Sequence, residues 1–159
     1  MKWRRGFIGL TLVCALTPLA LAQTNQSDMD AASGEHYVPR LGDIMNAVQT
    51  RHIKLWFAGK ALNWELAAFE MRQLKAGLLQ AATMYTGIPV TNVTTMSNPV
   101  QSIADAIAAK DIKQFNKGVG ELTNGCNGCH QSMGRGFIAI RVPTEQPFSD
   151  QLFTPQVKP

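Results

Sequence analysis

The sequence predicts an all-α protein: a four-helix bundle with a Cys-x-x-Cys-His motif near the end of its last helix and an extended tail beyond it. Three observations predict this. Apolar residues recur at three- and four-residue spacing in four successive stretches. Gly, Pro, Asn and Asp punctuate the joins between them. Nothing alternates long enough to make a sheet, and no internal repeat is visible. With 159 residues, 45% hydrophobic and 16% charged, the chain fits one domain and is too apolar for wholesale disorder. Three cysteines exclude a disulfide-rich scaffold.

Residues 1–22 read as a secretory signal peptide. Lys2, Arg4 and Arg5 are followed by an apolar stretch and by Ala20-Leu21-Ala22, a small-x-small pattern before polar Gln23. Val13 ahead of Cys14 does not suit a lipoprotein cut, so Cys14 is expected to leave with the peptide. An uncleaved anchor is the alternative; otherwise no stretch is long and apolar enough for a membrane span. Removing Lys2, Arg4 and Arg5 leaves 12 basic side chains against 11 acidic ones. The basic balance thus belongs mostly to the signal, and nothing points to nucleic acid, which wants a clustered basic face. The remaining cysteines are Cys126 and Cys129, in a compartment where a disulfide is the default fate of free thiols.

Residues 23–36 are polar and aperiodic, a flexible leader. The bundle is expected over 37–136. Its first helix, 39–60, carries Leu41, Ile44, Met45, Val48, His52, Leu55 and Trp56 on one face. The second, 64–85, follows Asn63 as N-cap, with Glu65 in the first turn and a stripe from Trp64 and Ala67 through Met71, Leu74 and Leu78 to Tyr85. Residues 87–97, rich in Thr, Asn, Val and Pro, read as a loop. Asn98-Pro99 then supplies a cap and a first-turn proline for a short third helix ending near Ala108. Asp111 caps the fourth, whose stripe runs Ile112, Phe115, Val119, Leu122, Cys126, Cys129 and Met133; Gly118, Gly120 and Gly125 threaten its regularity. The tail, 137–159, contains Phe137, Ile140, Phe148 and Phe153, which are expected to pack back over the bundle.

Cys126-Asn127-Gly128-Cys129-His130 is the pattern of covalent haem attachment. On a helix, positions i, i+3 and i+4 share a face. Each cysteine can add its thiol across one haem vinyl group, and the histidine beside them reaches the iron. Three rivals share parts of the motif. A thioredoxin-like redox pair wants a preceding strand. A structural zinc needs a fourth ligand, for which His36 or His52 are the candidates. A plain Cys126–Cys129 disulfide is the blandest reading.

A four-helix bundle with this motif on its last helix resembles the class II c-type cytochromes, the group of cytochrome c-prime and its low-spin relatives. The segment from Arg51 to Gly59, with Asn63 to Ala67, is also similar to a little-studied group of secreted bacterial haem proteins. The resemblance implies one covalent haem c per chain near one end of the bundle, with His130 as proximal axial ligand. It puts the first helix on the distal side, where Met45 is similar in placement to the sixth ligand of low-spin members. His52, seven residues on and roughly 10 Å along the axis, is the runner-up. The chain departs from the pattern in having Gly134 where cytochrome c-prime has a basic residue, with Arg135 one place later, and in its longer tail.

The function expected is one-electron transfer in the periplasm, between redox partner proteins, with Met45 opposite His130 raising the potential. The alternative is a five-coordinate haem protein binding gas or another small ligand, with Met45, Val48 and His52 as walls. No enzyme activity is expected, since no second metal motif, nucleophile-and-base pair or paired carboxylates are apparent. Lys54, Lys60, Arg72, Lys75, Lys113 and Lys117 are read as a solvated surface before a docking face. The resemblance also admits a homodimer through the first two helices.

Overall fold

Side-chain caps and left-handed turns set the helix boundaries. A computed structural model describes residues 38–156; the expected signal and leader lie outside the described residues. Four helices follow one another: α1 Leu41–Lys60, α2 Trp64–Met84, α3 Val90–Ala109 and α4 Ile112–Ser132. No strand occurs among the described residues. Asp43 sits in the first turn of α1, where it suits the helix dipole and pairs with Arg40 at 3.0 Å. Asn63 caps α2 by accepting the N–H of Leu66, and Asp111 caps α4 by accepting those of Lys113 and Gln114. Leu62 and Lys110 adopt left-handed backbone, with φ of 57° and 55°, just after α1 and α3.

The third helix corrects the sequence reading. It begins at Val90, so most of the expected loop is helical and Pro99 lies inside the helix. Two facts account for this. Met96, Val100, Ile103 and Ile107 form one buried stripe that crosses Pro99, so burying Met96 extends the helix backwards. The proline deprives only the carbonyl of Thr95, and Thr95 is exposed. The hydroxyls of Thr94 and Thr95 donate to the carbonyl of Thr91, so the threonine-rich stretch is bonded within the helix. The glycines of α4 likewise leave it unbroken. A side chain on Gly118 would meet Ile103 at 2.8 Å, so this glycine lets α3 approach.

α1 packs along α2 and α3 along α4, with α2 against α3 and a shorter meeting of α1 with α4. Short links make sequential helices antiparallel neighbours. The solid half of the bundle centres on Phe115, which is fully buried. Trp56 stacks on it at 6.4 Å between ring centroids and Trp64 meets it edge-on at 5.9 Å. Gly59 allows this: a Cβ there would lie 2.2 Å from the Phe115 ring. Glu70, fully buried, is paired with Arg51 at 3.1 Å across α1 and α2. Lys54 and Lys60 lie over the rings of Phe148 and Trp56.

In the tail, Phe153 is buried against Phe57, with Phe148 beside it. Phe137, expected to pack as well, is instead 81% exposed. The reason is a turn, closed by the Ile138 N–H on the Arg135 carbonyl at 2.9 Å, which holds Phe137 at its outer corner. Ile138 and Ile140 turn towards the bundle end, leaving Phe137 and Ala139 outside. Among the described residues, no helix is long and apolar enough to cross a membrane.

The Gly59–Phe115 contact predicts a stability change. Replacing Gly59 with alanine forces the buried ring to move, and overpacking of this kind costs roughly 1–3 kcal/mol. Urea unfolding of G59A should show a lower midpoint by that amount; an unchanged midpoint would contradict the packing described.

Candidate functional site

The antiparallel order brings the start of α1, the end of α2, the start of α3 and the end of α4 to one end of the bundle. There the helices do not close. They surround a cavity of about 370 Å³, within the usual 300–1,000 Å³ of small-molecule and cofactor sites. Its walls are mainly apolar: Leu41, Val48, Leu74, Leu78, Ile88 and Met96 among them. Cys126, Cys129, His130, Met45 and His52, the five residues singled out from the sequence, all line it. A second apolar chamber, about 150 Å³, shares Met45, Leu78, Ile88, Met96 and Cys129 with the first.

The motif occupies the last turns of α4, which places Cys126, Cys129 and His130 on one helical face. Both cysteines carry free thiols and are partly buried. Burial pushes the Cys126 thiol up to about 11, helped by Cys129; burial raises Cys129 too, against the hydrogen bond from Asn92. Both thiols are therefore protonated at neutral pH. That is the opposite of the lowered values of disulfide oxidoreductases, and among the described residues no strand precedes the motif as a thioredoxin-like pair would require. Among the described residues no group of three or more His, Cys, Asp or Glu is arranged to hold a metal ion.

His130 is half-buried, and its Nδ1 lies 2.7 Å from the carbonyl oxygen of Ile138. A carbonyl only accepts, so Nδ1 carries the hydrogen, and in the neutral ring the lone pair is on Nε2. This is the second partner that metal-bound histidines almost always have.

His52 is placed differently. It is 2% exposed, and its Nε2 lies 2.9 Å from Oγ1 of Thr123. The Thr123 hydroxyl donates to the carbonyl of Val119, so it accepts from His52, which fixes the hydrogen on Nε2. The nitrogen farthest from the backbone is thus already engaged with α4. Met45, one turn into α1, is half-buried and lines both chambers. Two other thioethers line the cavity. Met133 follows His130 by three residues, at the C-cap of α4, and Met96 lies against Gly125 of α4, whose added Cβ would meet its sulfur at 2.6 Å. Of the soft donors, Met45 is the one that α1 presents from across the bundle.

The end of α4 explains a departure noted in the sequence. Gly134 has φ of 67°, its N–H bonds to the carbonyl of Gln131, and the N–H of Arg135 bonds to that of His130. This is a Schellman termination, which wants glycine at the left-handed position. A basic side chain is poorly suited to that position, and Arg135, one place later, lines the cavity. Sequence reasoning missed Thr123, Met96, Asn127 and the Ile138 carbonyl. Thr123 and Met96 sit at helical spacing from stripe residues, a signal that was available; a backbone acceptor has none.

No protein-family model matches the chain, and neither a curated protein nor a solved structure matches it.

The buried His52 predicts a pH dependence. Desolvation lowers its pKa from 6.5 to about 4. Between those values the unfolded chain binds more protons than the folded one, so stability is full above about pH 6.5 and declines as pH falls towards 4. The decline amounts to about 3 kcal/mol. Urea unfolding across this window should show it in the native sequence and show it much reduced in H52Q; equal slopes would contradict it.

Proposed function

We propose that this chain is a secreted c-type cytochrome of the class II, four-helix kind, carrying one covalent haem c and passing single electrons. The observation that carries the reading is the convergence of the motif on one apolar cavity, with His130 turned so that its bare Nε2 is free. Cys126 and Cys129 would hold the haem through thioethers, each thiol S–H adding across one vinyl group, and His130 and Met45 would be its two protein ligands to iron. Bound there, the iron supplies reversible one-electron oxidation and reduction.

The chain's own groups do the rest. Apolar walls from α1, α2 and α3 keep water from the site, and a dry surrounding strengthens each polar contact inside it. The Ile138 carbonyl accepts the His130 Nδ1–H, which orients the ring and raises its basicity. Arg135 offers a cation at the cavity rim for the haem carboxylates. Both thiols are free, as attachment requires. The setting proposed is the periplasm, after removal of residues 1–22, with other redox proteins as partners.

The second chamber beside Met45 favours one alternative, a five-coordinate site open to a small apolar ligand. The ferrous optical spectrum, recorded before and after carbon monoxide, separates the two. A sharp low-spin spectrum that carbon monoxide leaves in place is expected of the native protein, and M45A should become high-spin and bind the gas. A native spectrum that is broad and shifts with carbon monoxide would overturn the electron-carrier reading in favour of ligand binding.

A further inference from the structure

Asn127 is one of the two unspecified positions inside the Cys-x-x-Cys-His motif, yet its amide makes a paired contact. Its Nδ2 donates to the carbonyl of Ile140 at 2.8 Å, and its Oδ1 accepts the N–H of the same residue at 2.7 Å. One rigid side-chain amide thus satisfies both backbone groups of a tail residue, as a neighbouring strand would. Two residues earlier in the tail lies Ile138, whose carbonyl accepts the hydrogen of His130 Nδ1.

Little else holds that carbonyl. Phe137 is 81% and Ile138 40% exposed, so apolar burial does not fix the segment. Its near end is fixed by the helix termination at Gly134 and by the Ile138 N–H on the Arg135 carbonyl at 2.9 Å. Its far end is fixed by Asn127. The Ile138 carbonyl sits between the two anchors.

We infer that Asn127 is a positioning residue for the axial histidine: by clamping Ile140 it holds the Ile138 carbonyl against His130 Nδ1, and so sets the orientation and electron-donating strength of the iron's proximal ligand. This rests on the haem reading of the motif. A histidine whose Nδ1–H is strongly accepted donates more charge to iron and favours the ferric state. Loosening the clamp lets water compete for that hydrogen, weakens the iron–histidine bond and raises the reduction potential.

The test compares the native protein with N127A and, as a control on the exposed side of the same helix, N124A. In the haem-loaded proteins, resonance Raman gives the iron–histidine stretch of a five-coordinate ferrous form, prepared in the M45A background, and redox titration gives the potential. In the haem-free chain, amide exchange at Ile140 and the ¹⁵N shifts of His130 are read directly. The native chain should protect the Ile140 amide and show a single Nδ1–H tautomer. N127A should lose that protection, mix the tautomers, lower the stretch and raise the potential, while N124A changes none of these. An N127A stretch and potential equal to native would overturn the inference, as would an unprotected Ile140 amide in the native chain. A chain that takes up no haem from working attachment machinery would overturn the haem reading instead; exchange and tautomer then decide the clamp alone.

Discussion

A neutral imidazole has two nitrogens and one hydrogen, and in His130 that hydrogen goes to the carbonyl of Ile138. This single assignment organises the end of the bundle. It leaves Nε2 as a lone-pair donor at the cavity, and it requires the tail to return across the motif. The return in turn requires α4 to stop within one turn of His130, which the left-handed Gly134 accomplishes. His52 shows the converse assignment. Its hydrogen sits on Nε2 and is given to Thr123, so this histidine ties α1 to α4 below the cavity. Two histidines line one space, and their partners give them different tasks.

The two ends of the bundle are built on different principles. Around Phe115 the helices are closed by large rings and by Gly59, which admits the Phe115 ring. At the other end, medium-sized side chains such as Leu78, Ile88 and Met96 stop short of one another. Apolar walls bordering such a space forgo dispersion contacts that a filling group would restore. The proposed haem, a large flat apolar group, would be of the right chemistry to do so.

Much of this was legible in the sequence. The stripes on α1, α2 and α4 were read from period alone, and the caps at Asn63 and Asp111 from residue type. The motif's spacing matches a helical face, and its cysteines and histidine line one cavity. The third helix was misjudged because a cap-and-proline pair looks like a start, while the buried stripe through Met96 and Val100 outweighs it. Phe137 departs from its expectation because composition says that an aromatic residue favours burial and says nothing about which side chain a turn holds outward. The roles of Asn127 and Ile138 were out of reach: they depend on where the chain returns, and main-chain groups leave no trace in a sequence.

The most direct measurement is the mass of the intact protein, exported from cells with working haem-attachment machinery, followed by mass analysis of its proteolytic fragments. The account predicts a chain heavier by one haem, with the addition confined to the fragment holding Cys126 and Cys129 and retained after acid extraction. A chain of unmodified mass, or one lighter by the two hydrogens of a Cys126–Cys129 disulfide, would contradict it.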